Sequence, residues 1–126
     1  MGKLIDAGQG VSDDCSKYYG KGYCVDYIQQ RVGRRPRGDA AKWPANIKND
    51  DVRAGDVAIF RSMGGGYGHV AYVERVNLDR NRRPTSINVT EMNARGPLDK
   101  CARGPEFGKA TPGNYSISKV SGFWRP

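Results

Sequence analysis

The chain has 126 residues, with 21 Lys and Arg against 13 Asp and Glu, a net charge of +8 and a mean hydropathy of −0.71. A chain of this length forms one domain and buries about two-thirds of its unfolded surface, so a core is possible without metal or disulfide staples. The longest purely apolar run, Val57–Phe60, is far too short to span a membrane. The charge favours an anionic partner without choosing among nucleic acid, a membrane surface and an acidic wall polymer.

Residues 1–22 are rich in Gly, Asp, Ser and Tyr and read as irregular chain with room for a short helix; the first residues, Met1–Asp6, lack the apolar region of a signal peptide. From Cys24 the pattern changes. Val25, Ile28 and Val32 fall at i, i+3 and i+7, which predicts a helix over Cys24–Val32, preceded by Gly22 and closed by Gly33. Residues 33–55, punctuated by Gly33, Pro36, Gly38, Pro44 and Gly55, form a long connection with a short helix around Asp39–Trp43. Three strands are expected next, at Asp56–Arg61, His69–Val76 and Ile87–Asn93. The last two form an antiparallel hairpin across the polar loop Asn77–Ser86. Alternation puts His69, Ala71 and Val73 on one face of the second strand, and Ile87, Val89, Glu91 and Asn93 on one face of the third. Residues 96–112 read as loop, and a last strand is expected within Tyr115–Trp124. One helix followed by antiparallel strands is an α+β domain covering residues 1–126.

Chemistry concentrates at a few positions. There are three cysteines, Cys15, Cys24 and Cys101, no C-x-x-C, and one histidine, His69, which makes a poor zinc set. Cys15 and Cys101 are either a bridge, in an oxidising compartment, or two reduced thiols. Cys24 opens the predicted helix, where unpaired N–H groups and the helix dipole favour a thiolate. His69 follows the run Gly64-Gly65-Gly66-Tyr67-Gly68, which keeps bulk away from the imidazole. Glu91 and Asn93 lie on the next strand, where either side chain is able to accept from the imidazole N–H and hold its tautomer.

Five segments occur in a fixed order: Gly22-Tyr23-Cys24-Val25-Asp26-Tyr27-Ile28, Gly38-Asp39-Ala40-Ala41-Lys42-Trp43-Pro44, Gly55-Asp56-Val57-Ala58-Ile59-Phe60, Gly68-His69-Val70-Ala71-Tyr72-Val73-Glu74 and Val89-Thr90-Glu91-Met92-Asn93. Together they resemble the CHAP family of cysteine, histidine-dependent amidohydrolases/peptidases, within the papain-like and NlpC/P60-like superfamily, over roughly residues 18–95. The resemblance implies a papain-like fold with the nucleophile helix packed on an antiparallel sheet. It also implies a hydrolase that cuts an amide bond in peptidoglycan, as an N-acetylmuramoyl-L-alanine amidase or as an endopeptidase of the stem or cross-bridge. In the family mechanism Cys24 attacks the carbonyl and forms a thioester, and His69 moves the proton. Glu91 orients His69, Asn93 assists it or serves the oxyanion region, and the Cys24 N–H is one oxyanion donor.

Tyr23, Trp43 and Tyr67 are the expected substrate contacts. Many members carry Gln before the nucleophile; here Tyr23 stands there, and Tyr18 or Tyr19 is a substitute donor. Asp26 fits part of the calcium loop of some phage lysins, but the upstream lysines Lys17 and Lys21 argue against calcium, and no cofactor is expected. The implied setting is the periplasm or the cell wall, in a bacteriolytic lysin or an antibacterial effector. Expected partners are peptidoglycan, anionic wall polymers reached by the run Arg31–Arg37, and an immunity protein in the effector case. The competing readings are an amidase on a small glutathionylspermidine-like conjugate and a non-catalytic basic module that binds wall or nucleic acid.

Overall fold

The computed structural model describes residues 13–96 and 98–126; the expectations for residues 1–12 lie outside the described residues. The predicted helix, α1, runs Cys24–Val32. Asp26, in its first turn, folds its carboxylate back to accept the Tyr23 N–H at 3.0 Å and the Gly22 N–H at 3.3 Å. This satisfies amides that a helix start leaves without partners. Arg35 supplies a third donor to the same buried carboxylate at 3.1 Å. At the other end Gly33 takes φ 81°, and its N–H returns to the Gln29 carbonyl at 2.9 Å.

Five antiparallel strands form one sheet: β1 (Val57–Phe60), β2 (His69–Leu78), β3 (Pro84–Met92), β4 (Ala110–Ser116) and β5 (Gly122–Trp124), in the order β4-β3-β2-β1-β5. The β2–β3 hairpin is longer than its apolar stretch. Asn77 extends it by donating to Ser86 at 2.9 Å and Asn88 at 2.8 Å, cross-strand bonds that hydrophobic alternation does not reveal. The strand expected within Tyr115–Trp124 is two strands. β4 ends at Ser116 on one edge of the sheet, a 3-10 turn follows at Ile117–Lys119, and β5 pairs with β1 at the opposite edge. The first half of β4 falls in the stretch expected as loop, since it carries Pro112 and Gly113. As an edge strand it uses only one row of hydrogen bonds, so a proline is tolerated.

The two faces of the sheet carry separate cores. Val57, Ile59 and Val70 pack under Val25 and Ile28 of α1 together with Trp43, Met92 and Trp124. Ala58, Phe60, Ala71, Val73, Ile87 and Val89 form the second core with Val120 and Phe123. Each fully buried Val, Ile or Phe contributes about 1.5–3 kcal/mol. Asp56, just before β1, is buried and accepts from the Arg53 N–H at 2.8 Å and from Arg125 Nε at 2.7 Å. The Gly-Asp pair of the third segment therefore ties Arg125 to the start of β1.

Cys15 and Cys101 form a disulfide across 86 positions of sequence, which fixes the 3-10 segment Asp13–Tyr18 to the loop after β3. Cys24 stands outside the disulfide and keeps its thiol. Removing the bridge by Cys15→Ser with Cys101→Ser is expected to lower the unfolding free energy by about 2–5 kcal/mol in urea titrations. Unreduced, denatured wild-type protein should be alkylated at Cys24 alone.

Candidate active site

His69 is the first residue of β2, and the chain reaches it through a tight passage. Gly68 has φ 87°, and a Cβ built on it meets the backbone nitrogen of Ala41 at 2.2 Å. The Ala41 N–H donates to the Tyr67 carbonyl at 2.8 Å. The absence of a side chain at Gly68 thus lets the short 3-10 helix Ala40–Lys42 lock the entry to β2. The imidazole shares its face with Ala71 and Val73 and lies against Phe60, its partner on β1, with ring centroids 5.9 Å apart.

β3 brings the acid. Tyr72 faces Thr90 and Val73 faces Val89, so alternation from Val89 sets Glu91 on the His69 face, one residue beyond the last pair of the ladder. Glu91 Oε1 lies 2.7 Å from His69 Nε2, with the two side chains 1% and 3% exposed. The thiol of Cys24, 2% exposed at the start of α1, is the other hydrogen-bond partner of the ring. Since Nε2 belongs to Glu91, Nδ1 is left for the thiol. Cys24 is the first residue of α1 and His69 the first of β2, so the two meet where both elements begin.

Burial pushes the His69 pKa down, but the hydrogen bonds and charges of Cys24 and Glu91 outweigh it and hold the ring up at about 9. The imidazolium is therefore the stable form at neutral pH. A pKa raised in the folded state means that this group's stabilisation is full below its unfolded value of about 6.5 and is lost as pH rises through about 9.

Asn93 departs from the expected pattern. Strand alternation stops at Met92, and Asn93 takes the left-handed φ of 56°. Its amide donates to the Ala102 carbonyl at 2.7 Å and accepts the Gly104 N–H at 2.7 Å. Both ends of the amide hold the loop after β3, and the bond to the imidazole is made by Glu91.

A cavity of about 230 Å³ opens on Cys24 and His69. One wall is Met63, Gly64, Gly65 and Gly68; the other is Asn93, Ala94, Arg95, Gly96 and Leu98. Only the glycine-rich wall was foreseen, because nothing in residues 94–98 carries a pattern before the loop is folded back. The structure places the expected aromatic contacts elsewhere. Tyr23 is fully buried, donating to the Cys101 carbonyl at 2.6 Å. Trp43 is fully buried against Trp124, its indole N–H on the Gly38 carbonyl at 3.1 Å. Tyr67 is half-buried against the α1-side core. These rings anchor the elements that present the site and do not line its cavity. Tyr18 borders a separate groove with Lys17, Asp99 and Arg103. Sequence reasoning also missed Tyr115, whose hydroxyl lies 2.9 and 3.0 Å from the two oxygens of Glu91.

Among the described residues one α-helix brings its N-terminal cysteine to a strand-borne His–Glu pair. The family model of the CHAP domain matches residues 14–93, and the chain belongs to that family. It is 34% identical over 96 residues to the "Probable autolysin SsaALP" of Staphylococcus aureus, covering 68% of this chain and 34% of that protein. It is 39% identical over 85 residues to the "Staphylococcal secretory antigen ssaA2" of the same species, covering 60% and 29%. The chain thus spans about a third of the length of these relatives. The crystal structure of a wild type endolysin, LysIME-EF1, superposes with a TM-score of 0.53 at 21% identity, over 99% of this chain and 58% of that one, and shares the fold.

His69 is the sole histidine, so imidazole NMR of untagged protein reports one titration. Its midpoint is expected near 9, and Cys24→Ala should lower it by removing one of the two partners. A midpoint at or below the ordinary value of about 6.5 contradicts the ion-pair geometry.

Proposed function

We propose that this chain is the catalytic domain of a bacterial cell-wall hydrolase that cleaves an amide bond of peptidoglycan through a Cys24 thioester. The observation that carries the reading is the hydrogen-bonded chain Cys24–His69–Glu91 opening on a cavity at a helix start. Membership of the CHAP family and likeness to a protein named as an autolysin support the wall as the place of action. A relative named as a secretory antigen, together with the Cys15–Cys101 bridge, supports action outside the reducing cytoplasm. The net charge of +8 favours approach to anionic wall polymers.

In this mechanism the thiolate adds to the substrate carbonyl while His69 holds the thiol proton as imidazolium. The oxyanion is met by the Cys24 backbone N–H, where the first turn of α1 directs its unpaired donors. Collapse breaks the C–N bond, His69 returns the proton to the leaving amine, and a thioester remains. Water then attacks the thioester with His69 as base, which releases the acid and regenerates the thiol. Glu91 keeps the ring oriented and balances its charge in both steps.

Digestion of purified peptidoglycan followed by mass spectrometry tests the reading. New N-terminal Ala on lactyl-free peptides marks the amidase; cleavage within the stem or cross-bridge marks the endopeptidase. Cys24→Ala should abolish either product with the fold intact, and turnover by a well-folded Cys24→Ala protein would falsify the assignment of the nucleophile.

Glu91 and Asn93 should separate cleanly. Glu91→Gln is expected to lower kcat by about 10–100-fold and to change the pH profile. Asn93→Ala removes two buried hydrogen bonds and should chiefly reduce stability, by about 1–3 kcal/mol, leaving the shape of the profile alone. A silent Glu91→Gln beside a severe kinetic loss in Asn93→Ala would reverse the two roles.

A further inference from the structure

Glu91 is 1% exposed, and a carboxylate in such a place needs donors around it. One is His69. The other comes from β4, outside the residues that the family model covers: Tyr115 places its hydroxyl 2.9 Å from Oε1 and 3.0 Å from Oε2. The register explains how it gets there. Tyr115 faces Ile87, Gly113 faces Val89 and Thr111 faces Glu91, so the phenol must cross Gly113 to reach the acid. A Cβ at Gly113 meets Glu91 Oε2 at 2.2 Å and the Tyr115 ring at 3.1 Å. The missing side chain is the lane in which the two groups touch. Phe60 steadies the same ring, with centroids 4.6 Å apart, and also lies against His69.

We infer that Tyr115 is a positioning residue of the active site, its hydroxyl holding Glu91 as an oriented carboxylate against His69. The inference rests on the reading of Cys24, His69 and Glu91 as the working site. Burial and the neighbouring Glu91 charge hold the phenol well above its usual pKa, so it stays a donor across the working pH range. The other charged groups near this network are Arg95 and Glu106 on the loop after β3, joined to each other at 2.7 and 2.8 Å. Cys24 and His69 face it from α1 and β2, and β1 contributes the uncharged Phe60. Without the hydroxyl the carboxylate has one donor fewer and loses its fixed plane. The imidazolium is then held less firmly, and the thiolate–imidazolium pair is less favoured.

The test is the pH dependence of Cys24 alkylation by iodoacetamide, with the disulfide intact, in wild type, Tyr115→Phe, Glu91→Gln and the double variant. Cys24 is the cysteine outside the disulfide, so the rate reads one thiol. Tyr115→Phe keeps the ring and its contact with Phe60. It should raise the pH of half-maximal reactivity by about one unit, the scale of one hydrogen bond to a charged group. In the Glu91→Gln background the same change should add nothing, because Tyr115 acts through Glu91. If Tyr115→Phe does not fold, Gly113→Ala, which drives a methyl against Glu91, should give the same upward shift. A Tyr115→Phe profile that overlays the wild type, or shifts that add in the double variant, overturns the inference. Alkylation needs no substrate, so failure to cut peptidoglycan would reject the proposed reaction while this result stood on its own.

Discussion

Glu91 and His69 are buried side by side, and each is tolerated in the core because of the other. A lone carboxylate or a lone imidazolium at 1% and 3% exposure carries a desolvation cost that packing does not offset. Joined at 2.7 Å, with a thiol on the second ring nitrogen and a phenol on the acid, the charges are shared along one line of hydrogen bonds. The rest of the fold is arranged around that line. β2 and β3 set its central pair by register, α1 delivers the thiol at its first residue, and β4 closes the far end.

The second constraint is the loop after β3, which has little regular structure and yet forms half of the cavity wall. Three ties hold it. Asn93 clamps it at Ala102 and Gly104, Cys101 bridges to Cys15, and the Cys101 carbonyl accepts the Tyr23 hydroxyl. Tyr23 directly precedes Cys24, so the ties that shape the wall also steady the nucleophile. Asn93 thus serves the site by holding backbone, and the left-handed φ it adopts is one that Asn tolerates better than most residues.

The aromatic residues follow the same logic. Tyr23, Trp43 and Trp124 are core struts on the α1 side of the sheet, and the cavity itself carries no aromatic side chain beyond the His69 ring, with glycines on one wall and Arg95 on the other.

The amino-acid sequence by itself determined the local features. Apolar spacing marked α1, a short apolar run marked β1, alternation marked β2 and β3, and the order of five short segments marked Cys24, His69, Glu91 and Asn93, because these signals are carried by neighbours in the chain. Tertiary structure alone decided what depends on distant partners. β4 became a strand, despite Pro112 and Gly113, because an edge needs only one row of hydrogen bonds. Of two acceptors on one strand, Glu91 took the imidazole because β3 ends at Met92 and Asn93 turns away to the loop. The pairing of Cys15 with Cys101 and the reach of Tyr115 over Gly113 join residues 86 and 24 positions from their partners. No local pattern encodes those distances; they exist only once the sheet and the loop after β3 have been packed.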